Sequence, residues 1–159
     1  MTCSVNTVMK YLSYLEEAYV IRKIPQYSTK AKKRLDFYTK LYDEDVAFNT
    51  IRQTNGRTDL THNLENIVYN ELVFMGYDLS VYNVNRKEID FLAAKDGKEL
   101  VIQVAYSVAE DATYEREFAP FNAIDNSRQK ILITADEHDF STSTVRHITL
   151  KDFLVMTHF

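Results

Sequence analysis

The sequence predicts a mixed α/β fold, and three stretches carry that reading. Residues 88–106 hold two β-rich runs, Glu88-Ile-Asp-Phe-Leu-Ala-Ala and Glu99-Leu-Val-Ile-Gln-Val-Ala-Tyr106, around the polar turn Lys95-Asp-Gly-Lys98. That pattern is a β-hairpin. Before it, Leu64, Ile67, Val68, Leu72 and Met75 recur at helical spacing and stop at Gly76, a natural C-terminal residue for a helix. After it, a further helical stretch leads to the short apolar run Lys130-Ile-Leu-Ile-Thr134. Hairpin-linked strands followed by a strand that returns after a helix require a mixed sheet with helices on both faces.

The remaining elements follow in chain order. Ser4 is placed to cap a helix whose apolar side is Val5, Val8, Met9, Leu12, Leu15 and Tyr19. Val20 to Pro25 is β-branched and reads as a short strand, and Arg34 to Tyr42 as an aromatic-rich one. Residues 43–60 are polar and contain Asn55-Gly56, so a boundary is expected there, giving a segment 1–58 and a domain 59–159. Asp59 or Thr61 can cap the next helix, and 77–84 reads as a strand. Residues 110–125 read as a helix interrupted at Pro120, Val145 to Thr149 as a strand, and Leu150 to Met156 as a terminal helical turn.

Bulk properties narrow the function. The chain has 159 residues, 45% hydrophobic and 26% charged, ordinary values for a water-soluble globular chain. One cysteine, Cys3, rules out an internal disulfide or a multi-thiolate metal site. No signal-like start and no long apolar run predict a cytoplasmic protein without membrane contact. No Gly-x-x-x-x-Gly-Lys stretch occurs, so no P-loop ATP site is expected. The net charge of −4 is uneven: seven basic residues and one acid lie within 22–40. Residues 4–42 read either as an amphipathic helix and hairpin that dock on the larger domain or, through Arg22, Lys23, Lys30, Lys32, Lys33 and Arg34 rimmed by Tyr27, Phe37 and Tyr38, as a candidate DNA-phosphate surface.

Strand alternation sends Ile89 and Phe91 one way and Asp90 and Leu92 the other, placing Asp90 near Gln103 and Ala105. An acid opposite the outer residues of an X-Val-Z strand is the layout of a metal-dependent nuclease site. Such a site would carry Glu at 103 and Lys at 105. Arg116 and Glu117 read as a solvated face, with an ion pair between them as the alternative, and the four histidines lack metal-ligand spacing.

Several motifs together resemble a known family. Leu64-Glu-Asn-Ile-Val-Tyr-Asn-Glu-Leu72, Lys87-Glu-Ile-Asp-Phe-Leu92, Ile102-Gln-Val-Ala-Tyr106, Glu115-Arg-Glu-Phe118 and Lys130-Ile-Leu-Ile-Thr134 are similar to a C-terminal domain of unknown function. That domain follows the ATPase module and winged helix of prokaryotic AAA-type ATPases. Residues 1–58 resemble the second half of the winged helix, implying that the chain begins inside a module. Residues 59–159 resemble the α-β-β-β-α-β core of PD-(D/E)xK restriction-endonuclease-like proteins. The resemblance implies a site of Glu65, Asp90 and Gln103, with Glu65 and Asp90 as weak Mg²⁺ ligands and Ala105 at the lysine position. Lys87, Lys98 or Lys130 would have to supply the missing charge. The expectation is a degenerate nuclease-like domain that binds DNA or a protein such as the ATPase module. A weak Mg²⁺-dependent endonuclease and a purely protein-binding regulatory module are the alternatives.

Overall fold

The computed structural model describes residues 4–28, 33–52, 60–85 and 87–159, with the side chains of 28, 33–39 and 50–52 left undescribed. Seven strands form one sheet in the order β2-β1-β3-β4-β5-β6-β7. They are β1 (Ile21–Ser28), β2 (Lys33–Asp43), β3 (Asp78–Val84), β4 (Lys87–Lys95), β5 (Lys98–Ala105), β6 (Gln129–Thr134) and β7 (Val145–Thr149). Pairs β1–β3, β5–β6 and β6–β7 run parallel, while β1–β2, β3–β4 and β4–β5 run antiparallel. This is the mixed α/β architecture expected from the sequence. The β1–β2 hairpin joins the same sheet as the rest of the chain, through Gln26↔Val81 to Ser28↔Asn83.

The helices divide between the faces. Helix α3 (Leu60–Phe74) and α5 (Leu150–Phe153) cover one face, burying Val68, Leu72 and Phe153 against Phe91, Ile102 and Ile131. Each fully buried aliphatic side chain of this kind contributes about 1.5–3 kcal/mol. Helix α4 (Asp111–Phe118) and the 3-10 turn Phe121–Ala123 serve the other face, where Phe121 and Ile124 meet Val101, Ala105 and Leu132. Pro120 separates those two pieces because it lacks the amide hydrogen needed to continue the helix.

Local chemistry accounts for most boundaries. Ser4 caps α1 (Val5–Glu17), its hydroxyl accepting from the Thr7 amide at 3.2 Å. The β4–β5 turn sits at Asp96 (φ 51°) and Gly97 (φ 76°), two successive left-handed residues that match the twist of a two-residue hairpin. Gly76 follows α3 at φ 84°. A short helix, α2 (Ala47–Arg52), lies inside the stretch expected to be only a polar boundary. The expected Asp59 cap and Asn55-Gly56 lie outside the described residues. Helix α1 buries none of its side chains; Val5, Val8, Met9, Tyr11, Tyr14 and Leu15 are all exposed.

One irregularity reorganises the centre of the sheet. Ser80 pairs with Leu92 and Tyr82 with Ile89, so Val81 alone opposes both Asp90 and Phe91. That extra residue in β4 is a β-bulge, which interrupts strict alternation. Ile89 and Leu92 consequently share the α4-side core, and Phe91 and Ala93 the α3-side core. The expected pairing of Ile89 with Phe91, and of Asp90 with Leu92, is corrected by this bulge.

Candidate carboxylate–lysine site

The bulge turns the Asp90 carboxylate toward α3, where it meets Glu65 and an unanticipated partner, Lys40. The Lys40 ammonium lies 2.8 Å from Glu65 Oε1, 2.7 Å from Asp90 Oδ1 and 3.1 Å from Glu88 Oε1. The side chains of Lys40, Glu65 and Asp90 are 21%, 13% and 10% exposed, so these contacts form largely out of water. The Tyr42 hydroxyl donates to Glu65 as well. Lys87, Lys98 and Lys130 do not reach this site: Lys87 donates to the Ala119 carbonyl, Lys98 lies exposed beside the hairpin turn, and Lys130 donates to Asn126.

The neighbouring backbone explains how these groups are positioned. Asn66 is fully buried and clamps the end of β2, accepting from the Asp43 amide at 2.9 Å and donating to its carbonyl at 2.8 Å. Asn70 adds a donor to the Asp43 and Glu44 carbonyls. Tyr42 is stacked on Tyr69 with ring centroids 4.3 Å apart, and both rings border Phe91. Lys40 and Tyr42, two residues apart on β2, therefore point to the same α3 side as Glu65. Recorded β4–β5 pairing ends at Phe91↔Ile102. Beyond it, Asp90 Oδ2 accepts from the Val104 amide at 2.9 Å, so a side chain takes over from the ladder.

Electrostatics follow from burial and proximity. Burial, reinforced by the Glu65 charge, pushes the Asp90 carboxyl up to about 7, although Lys40 and the Val104 amide oppose the rise. Burial works against the Lys40 charge, yet Asp90 and Glu65 more than offset it and hold the ammonium above the ordinary lysine range. Burial and the Glu65 charge together push the Tyr42 phenol upward, keeping it a neutral donor.

Gln103 does not enter this carboxylate cluster. It shares its strand face with Val101 and Ala105, on the α4 side. Its amide donates to Glu117 Oε2 at 2.8 Å, and its oxygen meets Asp90 only through the Asp90 main-chain amide at 3.4 Å. Glu117 is buried rather than on a solvated face; it forms the alternative ion pair with Arg116 at 2.8 Å and also accepts from Gln103. A 460 Å³ cleft between β4, β5 and α4 is bordered by Glu88, Asp90, Gln103, Arg116 and Glu117. Ala105 is buried in the α4-side core and leaves its methyl group where a lysine was sought.

Magnesium would use carboxylate oxygens such as those of Glu65 and Asp90. Here the Lys40 ammonium already bridges the two, so the donor set does not fit a divalent cation while Lys40 stays in place. Among the described residues, no group of three or more His, Cys, Asp or Glu is arranged to hold a metal ion.

The candidate phosphate surface is described only in part. Arg22 pairs with Glu44, and Lys23 with Glu16 at 2.8 Å. Lys30 and Lys32 lie outside the described residues, as do the side chains of Lys33, Arg34, Phe37 and Tyr38. Tyr27 packs on Tyr82, ring centroids 5.7 Å apart. No helix among the described residues is long and apolar enough to cross a membrane.

Sequence inspection missed Lys40, Tyr42, Asn66 and Glu117. A signal for the first two existed: they occupy same-face positions of the aromatic strand, one helix before Glu65.

Comparison with known proteins adds the family. An uncharacterized protein of Haemophilus influenzae is 33% identical over 134 residues, which cover 84% of this chain and 33% of that protein. The chain thus spans about a third of the length of that relative. No solved structure matches. The model of a domain of unknown function, DUF4143, matches residues 60–153, which include Glu65, Asp90, Gln103 and Glu117. The chain belongs to the DUF4143 family.

Proposed function

We propose that this chain is a non-catalytic, nuclease-like binding domain, the C-terminal part of an AAA-type ATPase, in which a lysine replaces the catalytic cation. The observation that carries this reading is the Lys40 ammonium seated between Glu65 and Asp90. An internal cation offsets part of the acids' charge and fills the space between them, leaving them little capacity to recruit Mg²⁺. The turning of Gln103 toward Glu117 supports the same reading, since it takes the third ligand off the carboxylate face.

The exposed apolar side chains of α1 and the ion-paired state of Arg22 and Lys23 favour a protein partner over DNA. DNA contact through residues 22–40 is the companion hypothesis. It predicts affinity that falls steeply as salt rises.

A weak Mg²⁺-dependent endonuclease is the second reading, favoured by one specific feature. Lys40 stands within hydrogen-bond reach of both acids and could supply the positive charge that Ala105 lacks. Lys40→Met separates the two. If Lys40 replaces the cation, wild type neither binds Mn²⁺ nor cuts DNA, and the variant gains Mn²⁺ affinity. If Lys40 serves catalysis, wild type cuts DNA with Mg²⁺ or Mn²⁺, and both Lys40→Met and Asp90→Ala abolish cutting. Metal-dependent cutting by wild type that those substitutions remove would end the non-catalytic proposal.

A further inference from the structure

A second polar cleft opens at the other end of the sheet, between the loops that enter β6 and β7, with a volume of 730 Å³. Lys130, the second residue of β6, faces it and is only 5% exposed. Its one partner among the described residues is a neutral atom, Asn126 Oδ1, at 2.7 Å. An ammonium has three donors, and burying one without an opposing charge is costly. Among the described residues, no acidic side chain lines the cleft. Two acids in the adjoining segments have other partners: Glu99 pairs with Arg128 at 2.7 Å, and Asp125 accepts from the Ser127 amide at 2.9 Å.

The cleft wall supplies further donors. Ser141 Oγ accepts from the His147 amide at 3.0 Å, and Thr142 Oγ1 accepts from the Thr144 and Val145 amides at 3.3 and 3.1 Å. With those oxygens accepting from the backbone, their hydroxyl protons remain to be donated. Arg146 borders the cleft too, but it lies in register with Ile131 on the α3-side face, whereas Lys130 lies in register with Val145 on the α4-side face, so Lys130 is the cation that serves the cleft.

We propose that this cleft binds a phosphate monoester, with Lys130 as the recessed cation and the Ser141 and Thr142 hydroxyls as neutral donors. A phosphate monoester carries nearly two negative charges at neutral pH and three acceptor oxygens. It supplies the counter-charge that Lys130 lacks. The recessed ammonium suits a compact terminal phosphate rather than a continuous nucleic-acid backbone. No aromatic side chain lines the cleft to stack a base. Free inorganic phosphate and the phosphate of a small hydroxylated molecule share this chemistry.

The test titrates the full chain with inorganic phosphate and, separately, with glucose 6-phosphate, using glucose as the uncharged control. The readout is the ¹H–¹⁵N amide shifts of residues 141–144. Saturable shifts with either phosphate and none with glucose are expected, weakened at least about tenfold by Lys130→Met and likewise by Asn126→Asp, which sets a carboxylate against the ammonium. Tighter binding of glucose 6-phosphate assigns the site to a phosphorylated small molecule, and equal binding assigns it to phosphate alone. Asn126 is exposed, so its variant remains informative if Lys130→Met fails to fold. Absence of saturable shifts at millimolar phosphate, or binding unchanged in both variants, overturns the proposal. Displacement of phosphate by a DNA duplex that binds the same amides more tightly also overturns it.

Discussion

Replacing Lys40 by methionine tests the central contact most directly, because methionine keeps an apolar stem of similar length while removing the charge. The ammonium meets Glu65 and Asp90 at 2.8 and 2.7 Å in a largely buried setting, and the 45%-exposed Glu88 at 3.1 Å. Breaking a buried ion pair by deleting one member costs about 3–5 kcal/mol, whereas an exposed pair is worth about 0–1 kcal/mol. Glu88 therefore adds little, and Glu65 and Asp90 dominate. The loss depends on pH, because the Asp90 carboxyl sits at about 7. Near pH 8 the Asp90 carboxyl has given up its proton, and the variant should lose about 3 kcal/mol. Near pH 5 Asp90 holds a proton in the wild type too, and the loss should shrink to about 1–2 kcal/mol, mainly the Glu65 contact. Urea denaturation of both proteins, followed by circular dichroism at the two pH values, measures the difference. A loss below about 0.5 kcal/mol at both values would refute the reasoning, since solvent would then be screening the pair.

Other expectations can be checked alongside. Carbon-detected NMR should find the Asp90 carboxyl titrating near 7, and higher in Lys40→Met, because the opposing cation is gone; a midpoint near 4 would contradict the buried geometry. Asp90 binds its proton more tightly folded than unfolded, so its stabilising contribution is complete below about pH 4 and fades as pH rises through about 7. Gly97→Ala should cost about 1 kcal/mol, purely from the left-handed backbone, as no atom lies within 4 Å of the added methyl group; an unchanged melting temperature would show that the turn relaxes. His147 accepts from the Phe140 amide at 3.3 Å and shares a 2.8 Å hydrogen bond with Thr134, and burial holds it below 6.5 despite the nearby Asp136 and Asp139 carboxylates. Its contribution to stability should be complete above about pH 6.5 and decline as pH falls. A proton NMR midpoint above 6.5 would contradict that assignment.

Much of the architecture was legible because it rests on local rules. The Ser4 cap, the Gly76 stop, the Asp96-Gly97 turn and the helical stripe of Leu64, Val68 and Leu72 each declare themselves within a few residues. Helix α2 was hidden by its short length and polar setting. The site was only half legible. Glu65 and Asp90 do meet, but Gln103 faces α4, and the cation comes from β2, 25 residues before Glu65. Periodicity assumes an uninterrupted strand, and nothing in Ile89-Asp-Phe-Leu92 announces the extra residue that breaks it. Lys40 escaped because it closes the net-basic stretch 22–40, which reads as a surface; its three carboxylate partners are distant in the chain.

The doubled position opposite Val81 has a consequence for how this region tolerates insertions and deletions. Losing either Asp90 or Phe91 would restore a regular ladder, yet it would delete the acid outright or the ring packed beside Tyr42 and Tyr69. Length changes should therefore collect at the exposed hairpin tip around Gly97, while β4 keeps its residue count from Ile89 to Leu92. An alignment slipped by one place there would set a carboxylate against a hydrocarbon, making that four-residue span a sensitive marker for judging whether a distant relative retains the lysine-bridged acids.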